Sequence, residues 1–153
     1  MINKKTGSLL GASAALPIIY NDGSEEQIYI YEQFGRNLGM GFQMHDDLLE
    51  ITADTETMGK SLGSDIYEGK QTIMVILARE SYPDEWRDLL NLSENNELIK
   101  NIYNFFEEKN IIQETRSISD AYFKASLNFL KKLDGINTEE LVQLVHLIEK
   151  RTF

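Results

Sequence analysis

Residues 24–51 read SEEQIYIYEQFGRNLGMGFQMHDDLLEI, and this stretch decides the fold class. It opens with Ser24 and Gln27 at the spacing of a capping box, which predicts that a helix begins at Ser24. Apolar residues then recur at helical spacing along one face. They are Ile28, Tyr31, Phe34, Leu38, Phe42 and Leu49. The stretch therefore predicts one long amphipathic helix that continues to about Ile51.

The rest of the chain also has helical periodicity, and no period-two apolar alternation is long enough to indicate a sheet. We expect an apolar helix from Lys4 to Tyr20, a turn at Asn21-Asp22-Gly23 and an irregular loop from Ala53 to Lys70. Further helices are predicted over residues 71–80, from Pro83, after a cap at Ser93, over residues 111–133 and from Thr138. The fold class is therefore all-α, a helical bundle, and residues 1–153 are expected to form a single domain.

Composition and charge exclude several classes of function. The 153 residues include 25 Asp+Glu and 15 Lys+Arg, for a net charge of -10. This is the wrong sign for a protein that binds nucleic acid by neutralising phosphates, and an anionic ligand would need a bridging metal ion. There is no cysteine, so disulfides, thiolate nucleophiles and zinc sites built on Cys are excluded. His45 and His146 are too far apart in sequence to suggest a histidine zinc site.

One face of the long helix carries an amide and three carboxylates. Gln43, Asp46, Asp47 and Glu50 stand at i, i+3, i+4 and i+7, which places them together on that face. Like charges at i and i+4 repel slightly unless a cation is shared. Two interpretations follow: a solvated acidic face, or oxygen ligands for Mg²⁺.

Three glycines lie inside the same helix, although each costs about 1 kcal/mol relative to alanine there. Gly35 and Gly39 are one turn apart, and Gly41 follows. Either they permit a close approach of a second helix, or they leave room for a ligand beside the helix.

Downstream of the acidic residues, glycines separate Lys60 from Lys70, which would free the backbone to wrap a phosphate. The string from Gly39 to Glu50, followed by the series below, closely resembles the trans-isoprenyl diphosphate synthases, also called the polyprenyl synthetase family. The series is Gly59-Lys60, Gly63, Asp65, Gly69-Lys70 and Thr72. The resemblance is to the carboxyl-terminal half of that family, which carries its second aspartate-rich motif, and Lys5-Thr6 resembles the family's Lys-Thr motif.

The resemblance implies an all-helical enzyme that uses Mg²⁺ to condense an allylic diphosphate with isopentenyl diphosphate. By position, it implies metal-binding roles for Asp46, Asp47, Glu50 and Asp65. It implies catalytic roles for Lys5, Thr6, Gln43, Lys60 and Lys70, of which all but Thr6 are also expected to bind substrate. Such metal ions and lysines stabilise the charge that develops on a departing diphosphate.

The family's first aspartate-rich motif normally precedes the Lys-Thr helix, and no second cluster of this type occurs later in this sequence. We therefore expect the isolated chain to be inactive in condensation. A homo-oligomer or hetero-oligomer is expected, with a chain that supplies the amino-terminal half as one candidate partner. Two alternatives remain: a regulatory or binding subunit that retains a Mg²⁺-diphosphate site, and a plain helical scaffold.

Lys4 and Lys5 precede an uncharged run from Thr6 to Asn21, which imitates a signal peptide with a cleavage site near Ala14. Cleavage there would remove the Lys-Thr motif, so the resemblance favours a functional helix. We expect a cytoplasmic protein with no membrane span and no nucleic-acid partner.

Several other side chains are expected to be structural. His45 points about 100° around the helix from Asp46, which favours packing or a hydrogen bond over metal ligation. The aromatic residues near the carboxyl end are expected in the core, although a prenyl-tail pocket is the alternative. They are Tyr103, Phe105, Phe106, Tyr122, Phe123 and Phe129.

Overall fold

The computed structural model describes residues 3–52, 70–92 and 97–151, without the side chains of residues 3, 5 and 92. The described residues form helices and connecting turns, with no strand among them, so the all-α prediction is confirmed. A π-helical turn over Asn3–Gly7 comes first. It is followed by α1 (Ser8–Tyr20), α2 (Glu25–Thr52), α3 (Ile73–Ser81), α4 (Pro83–Leu92), α5 (Leu98–Glu108), α6 (Ile111–Leu130) and α7 (Glu139–Glu149).

The start of α2 is the predicted capping box. The backbone N–H of Gln27 donates to the Ser24 hydroxyl at 3.2 Å, and the backbone N–H of Ser24 donates to the Gln27 side-chain oxygen at 3.0 Å. Each side chain thereby satisfies a backbone donor that the first turn of a helix leaves without a partner. The helix then runs to Thr52, one residue beyond the predicted end.

The chain divides into two compact units. The first contains the π-helical turn, α1, most of α2, the second half of α6, and α7. Its core is formed by residues of α2, α6 and α7 with the turn after α6. They are Ile30, Phe34, Leu38, Phe123, Leu130, Leu133 and Val145. The single domain expected over residues 1–153 stays a prediction.

Within the first unit, α1 and α2 approach so closely that their backbones touch. A Cβ atom added at Gly35 would lie 2.3 Å from the Leu10 carbonyl oxygen, and one at Gly39 would lie 3.0 Å from the Cα of Gly7. A Cβ at Gly41 would lie 2.9 Å from the Phe123 ring. The glycines of α2 are therefore explained by close packing, which decides between the two interpretations left open by the sequence.

The second unit contains the end of α2, helices α3 to α5 and the start of α6. Its core is aromatic: the Trp86 ring stacks on Phe106 with centroids 5.7 Å apart, and Phe105 adjoins both rings. Phe105, Phe106 and, in the first unit, Phe123 are all buried. Lys109 forms an ion pair with Glu85 and lies over the Tyr82 ring, which ties α4 to the end of α5. Core packing is thus confirmed for these three phenylalanines.

Some boundaries differ from the predictions. The first turn, Asn3–Gly7, is a π-helix and not an α-helix. Helix α6 ends at Leu130, because the chain then tightens: the N–H of Leu133 donates to the Leu130 carbonyl. At the start of α7, the backbone N–H of Glu139 donates to the side-chain oxygen of Asn137, and the Thr138 side chain makes no cap hydrogen bond. The predicted cap at Ser93 and the predicted loop up to residue 69 lie outside the described residues.

Candidate active site

The π-helical turn brings two of the predicted site residues together. The Thr6 hydroxyl donates a hydrogen bond of 3.2 Å to the side-chain oxygen of Gln43, although 37 positions separate the two residues in sequence. A π-helix is rare and frequently marks a functional site. The turn carries Lys5 beside Thr6, although the Lys5 side chain is not among those described. The Lys-Thr segment and the acidic helix are therefore joined at Gln43.

This contact depends on the glycine packing between α1 and α2. The added Cβ at Gly39 would also lie 3.0 Å from the Thr6 carbonyl oxygen, so a side chain there would require the π-helical turn to shift by a few tenths of an ångström. Arg36 holds the same two helices together: it donates to Ser8 on α1 at 3.2 Å and pairs with Glu32 on α2 at 2.7 Å. The position of Thr6 is thus set by the backbone contact between its segment and α2 and by the side-chain bonds of Arg36.

The acidic residues occupy the last turns of α2. Asp47 is buried, with 9% of its surface exposed, whereas Asp46 and Glu50 are half-buried. A buried carboxylate is costly unless it is paired or hydrogen-bonded, so a purely solvated acidic face does not account for Asp47. All three carboxylates follow Gln43 on the same helix, within two turns.

These oxygen donors fit a metal ion that is shared with a ligand. Within residues 3–52, 70–92 and 97–151, no three acidic or histidine side chains converge closely enough to hold a metal by themselves. Mg²⁺ is usually bound through one or two carboxylates, with water and substrate phosphates completing its shell. The carboxylates of α2 are therefore of the type that holds Mg²⁺ together with water and the phosphate of a ligand.

Of the remaining predicted site residues, Lys70 is the one that the structure describes. Lys70 is exposed and lies just before α3, whose first turn is capped by Thr72 through a 3.4 Å bond from the N–H of Val75. Lys60 and Asp65 fall outside the described residues. Their roles remain predictions.

His45 is engaged away from the acidic residues. Its ring meets the Phe123 ring edge-on, with centroids 6.1 Å apart, and its Nε2 lies 3.1 Å from the Arg151 carbonyl oxygen. A carbonyl only accepts, so in this contact Nε2 carries the proton. The expectation of packing and hydrogen bonding for His45 is confirmed.

One supporting residue was not singled out from the sequence. Ser119 on α6 is buried and donates a 3.0 Å hydrogen bond to the Gly41 carbonyl oxygen, half a turn before Gln43. Together with Phe123, which covers Gly41, it fixes α6 against α2. Its signal in the sequence is slight: Ser119, Phe123 and Ser126 share one face of α6 at helical spacing.

In residues 3–52, 70–92 and 97–151, none of the helices is both long and apolar enough to cross a bilayer.

Comparison with known proteins gives a consistent result. Residues 1–107 match the sequence model of a family described as polyprenyl synthetase. The chain is 31% identical over 148 residues to a short chain isoprenyl diphosphate synthase of Methanothermobacter thermautotrophicus, covering 95% of this chain and 46% of that protein. It is 33% identical over 138 residues to a geranylgeranyl diphosphate synthase of Sulfolobus acidocaldarius, covering 90% of this chain and 41% of that protein.

The solved structures agree. A geranylgeranyl pyrophosphate synthetase from Pyrococcus horikoshii superposes with a TM-score of 0.85 at 29% identity, covering 99% of this chain and 47% of that one. The chain thus spans about half the length of the relatives that it matches, which is consistent with a match to their carboxyl-terminal half.

Proposed function

The chain belongs to the polyprenyl synthetase family, and on that premise we propose that it supplies the second diphosphate-binding half of a prenyltransferase active site. The reaction proposed is condensation of an allylic diphosphate with isopentenyl diphosphate. The observation that carries the proposal is the hydrogen bond from Thr6 to Gln43, which joins the Lys-Thr turn to the helix of Asp46 and Asp47.

In this proposal the carboxylates of α2 face the diphosphate of the allylic substrate. Asp46, Asp47 and Glu50, with Asp65, would hold Mg²⁺, which when bound offsets the negative charge of the departing diphosphate. Lys5, Lys60 and Lys70 would donate hydrogen bonds to the diphosphate oxygens. Gln43 would orient the substrate, because the hydrogen bond from Thr6 fixes the position of its side-chain oxygen.

The chemistry needs no nucleophilic side chain in this half of the site. Lysines fixed around a leaving group stabilise the charge that develops as its bond breaks, and they favour departure without a covalent intermediate. The chain's task is therefore to bind and orient the diphosphate. Isopentenyl diphosphate and the first metal cluster would be held by the other half of the fold.

A direct test is the thermal stability of the chain with Mg²⁺, with inorganic diphosphate and with both. At a hundredfold excess over Kd, the two ligands together should add about 2.7 kcal/mol of stability. Either one alone should add much less, because diphosphate meets the carboxylates unscreened and Mg²⁺ alone can remain hydrated. The Asp46→Ala variant should lose the joint shift.

Asp120→Ala is the matched control, since Asp120 is an exposed aspartate on α6. It should keep the full joint shift. An equal shift in Asp46→Ala and wild type would place the diphosphate elsewhere. Absence of any joint shift in the wild type would contradict a preformed half-site.

A second candidate is a regulatory or binding subunit without turnover of its own. This candidate is favoured by the match to only about half the length of the relatives. The two candidates separate in one assay: the chain is mixed with an amino-terminal half of the family fold, and condensation of radiolabelled isopentenyl diphosphate is measured. Turnover that Asp46→Ala abolishes supports the catalytic role, while diphosphate binding without turnover supports the regulatory one.

A further inference from the structure

The side chain of His45 connects α2 to α6 and to the end of α7. His45 lies on α2, directly before Asp46. Its Nε2 donates to the backbone carbonyl oxygen of Arg151 at 3.1 Å, and its ring meets the Phe123 ring of α6 edge-on, with centroids 6.1 Å apart. The bond to Arg151 spans 106 positions in sequence, so it is a tertiary contact. It is made in the turn of α2 that carries Asp46.

The carbonyl group that His45 contacts is held by the last turn of α7. The N–H of Lys150 donates to the His146 carbonyl oxygen at 3.1 Å, and the N–H of Arg151 donates to the Ile148 carbonyl oxygen at 3.2 Å. These bonds fix the backbone up to Arg151. A helix leaves its last carbonyl groups without a partner inside the helix, and the His45 N–H satisfies the one at Arg151 from α2.

The Phe123 ring, the other contact of His45, is fixed as well. Phe123 is 1% exposed, and its ring lies so close to Gly41 that a Cβ atom added there would be 2.9 Å away. Gly41 and His45 are one turn apart on α2, so the ring contacts two successive turns of that helix. His45 therefore cannot change its direction unless a buried ring moves with it.

The same turn of α2 carries two of the candidate site residues. Gln43 lies two positions before His45, and Asp46 follows it. The backbone hydrogen bonds of a helix make such a turn move as a unit, and a carboxylate lies about 5 Å from the helix axis, so a rotation of about 10° displaces it by about 0.9 Å. Binding sites need their ligands within about 0.5 Å of the productive position. A small rotation of this turn is therefore enough to weaken binding.

We propose that His45 is a positioning residue of the diphosphate site. By donating to the Arg151 carbonyl and packing on Phe123, it sets the rotation of the α2 turn that presents Asp46 to Mg²⁺. This inference rests on the proposed function, because it concerns the same site. It adds a residue that contacts neither metal nor substrate, and it makes the end of α7 part of the support of the site. Arg151 contributes here through its backbone and not through its charge.

The test is calorimetric titration of the chain with inorganic diphosphate in excess Mg²⁺, below the melting temperature of every variant. His45→Phe keeps a ring against Phe123 and removes the N–H, and it should weaken the affinity about tenfold, as loss of a supporting partner does at metal sites. His45→Gln restores an N–H donor at a similar reach and should bind within about threefold of the wild type. His45→Leu, which also lacks the donor, serves as a second variant, and circular dichroism melts check folding.

Two matched controls separate positioning from a general loss of stability. His146→Phe makes the same change at the other histidine, which contacts Glu149 at the surface of α7, and it should leave the affinity within about twofold. Ser24→Ala destabilises the opposite end of α2, about 33 Å along the helix from Asp46, and should also stay within about twofold. Arg151→Gln keeps the backbone carbonyl and should bind within about threefold of the wild type.

Each departure from these results has a distinct meaning. Equal affinity of the wild type, His45→Phe and His45→Leu would overturn this inference and leave the proposed function standing. Failure of His45→Gln to restore binding would overturn it too, as would an equal loss in Ser24→Ala. A loss in Arg151→Gln as large as that in His45→Phe would overturn it in favour of the Arg151 charge. No joint binding by the wild type would refute the proposed function, and this inference with it.

Discussion

The backbone contact between α1 and α2 predicts that Gly35→Ala destabilises the protein. By helix propensity alone, the substitution should raise the free energy of unfolding by about 1 kcal/mol, because alanine restricts the unfolded chain and favours the helix. The structure predicts the opposite sign. The new Cβ would lie 2.3 Å from the Leu10 carbonyl oxygen, 2.7 Å from the Leu10 carbonyl carbon and 2.9 Å from the Cα of Gly11.

The magnitude follows from these distances. A carbon atom and a carbonyl oxygen approach to about 3.3 Å, so the helices must separate by about 1 Å at this point. The atoms in the way belong to the backbone of α1, so a rotamer change cannot relieve the contact. A gap of that size forfeits a quarter to a half of the dispersion energy of each contact that lines it. Overpacking of this kind costs about 3 kcal/mol, which leaves a net loss of about 2 kcal/mol after the propensity gain.

Thermal unfolding followed by circular dichroism measures the effect. A net loss of about 2 kcal/mol should lower Tm by roughly 4 to 8 °C for a chain of this size. Gly39→Ala should lower Tm by less, because its Cβ would meet its nearest neighbours at 3.0 Å. Ser13→Ala, on the exposed side of α1, is the propensity control and should change stability by only a few tenths of a kcal/mol. A Gly35→Ala protein that melts at or above the wild-type temperature would refute the close contact.

Two further substitutions test polar groups. Among the described residues, the fully buried Thr115 hydroxyl has no hydrogen-bond partner, so Thr115→Val should raise the free energy of unfolding by about 1 kcal/mol. Ser126→Ala, which removes a hydroxyl bonded to the Phe123 carbonyl at 2.7 Å, should lower it, and a loss of stability in Thr115→Val would show that its hydroxyl is satisfied. Ser24→Ala removes the cap of α2 and should cost about 1 kcal/mol in a denaturant titration. Thr138→Ala, at the equivalent position of α7 where the side chain makes no cap hydrogen bond, should cost clearly less, and equal losses would contradict the capping assignment.

The sequence was sufficient wherever structure is set by nearby residues. The capping box at Ser24, the helix that starts at Pro83 and the buried apolar face of α5 each depend on residues within a few turns. The role of the glycines could not be decided in the same way, because it depends on which helix lies opposite. That information appears only when the backbone of Leu10 is placed against Gly35.

In the candidate site, too, the local features could be predicted from the sequence and the long-range contacts could not. The grouping of Gln43, Asp46, Asp47 and Glu50 on one helix follows from periodicity, and α2 carries all four. The bond from Thr6 to Gln43 spans 37 positions, and the π-helical register that accompanies it has no pattern of apolar residues by which to recognise it. The burial of Asp47 also could not be predicted from the sequence, because an acidic residue at such a position is more often solvated.

The π-helical turn also constrains how this segment can change in evolution. A π-helix hydrogen-bonds from residue i to i+5 and so accommodates one residue more per turn than an α-helix. Removing Gly7 would restore the α-helical register and rotate everything before the gap, including Thr6, by about 100° about the helix axis. The Thr6 hydroxyl would then leave Gln43 even though the amino acids on either side were unchanged. This segment should therefore tolerate insertions and deletions less well than substitutions. In an alignment, a gap here would indicate that the contact is lost even if the neighbouring residues are identical.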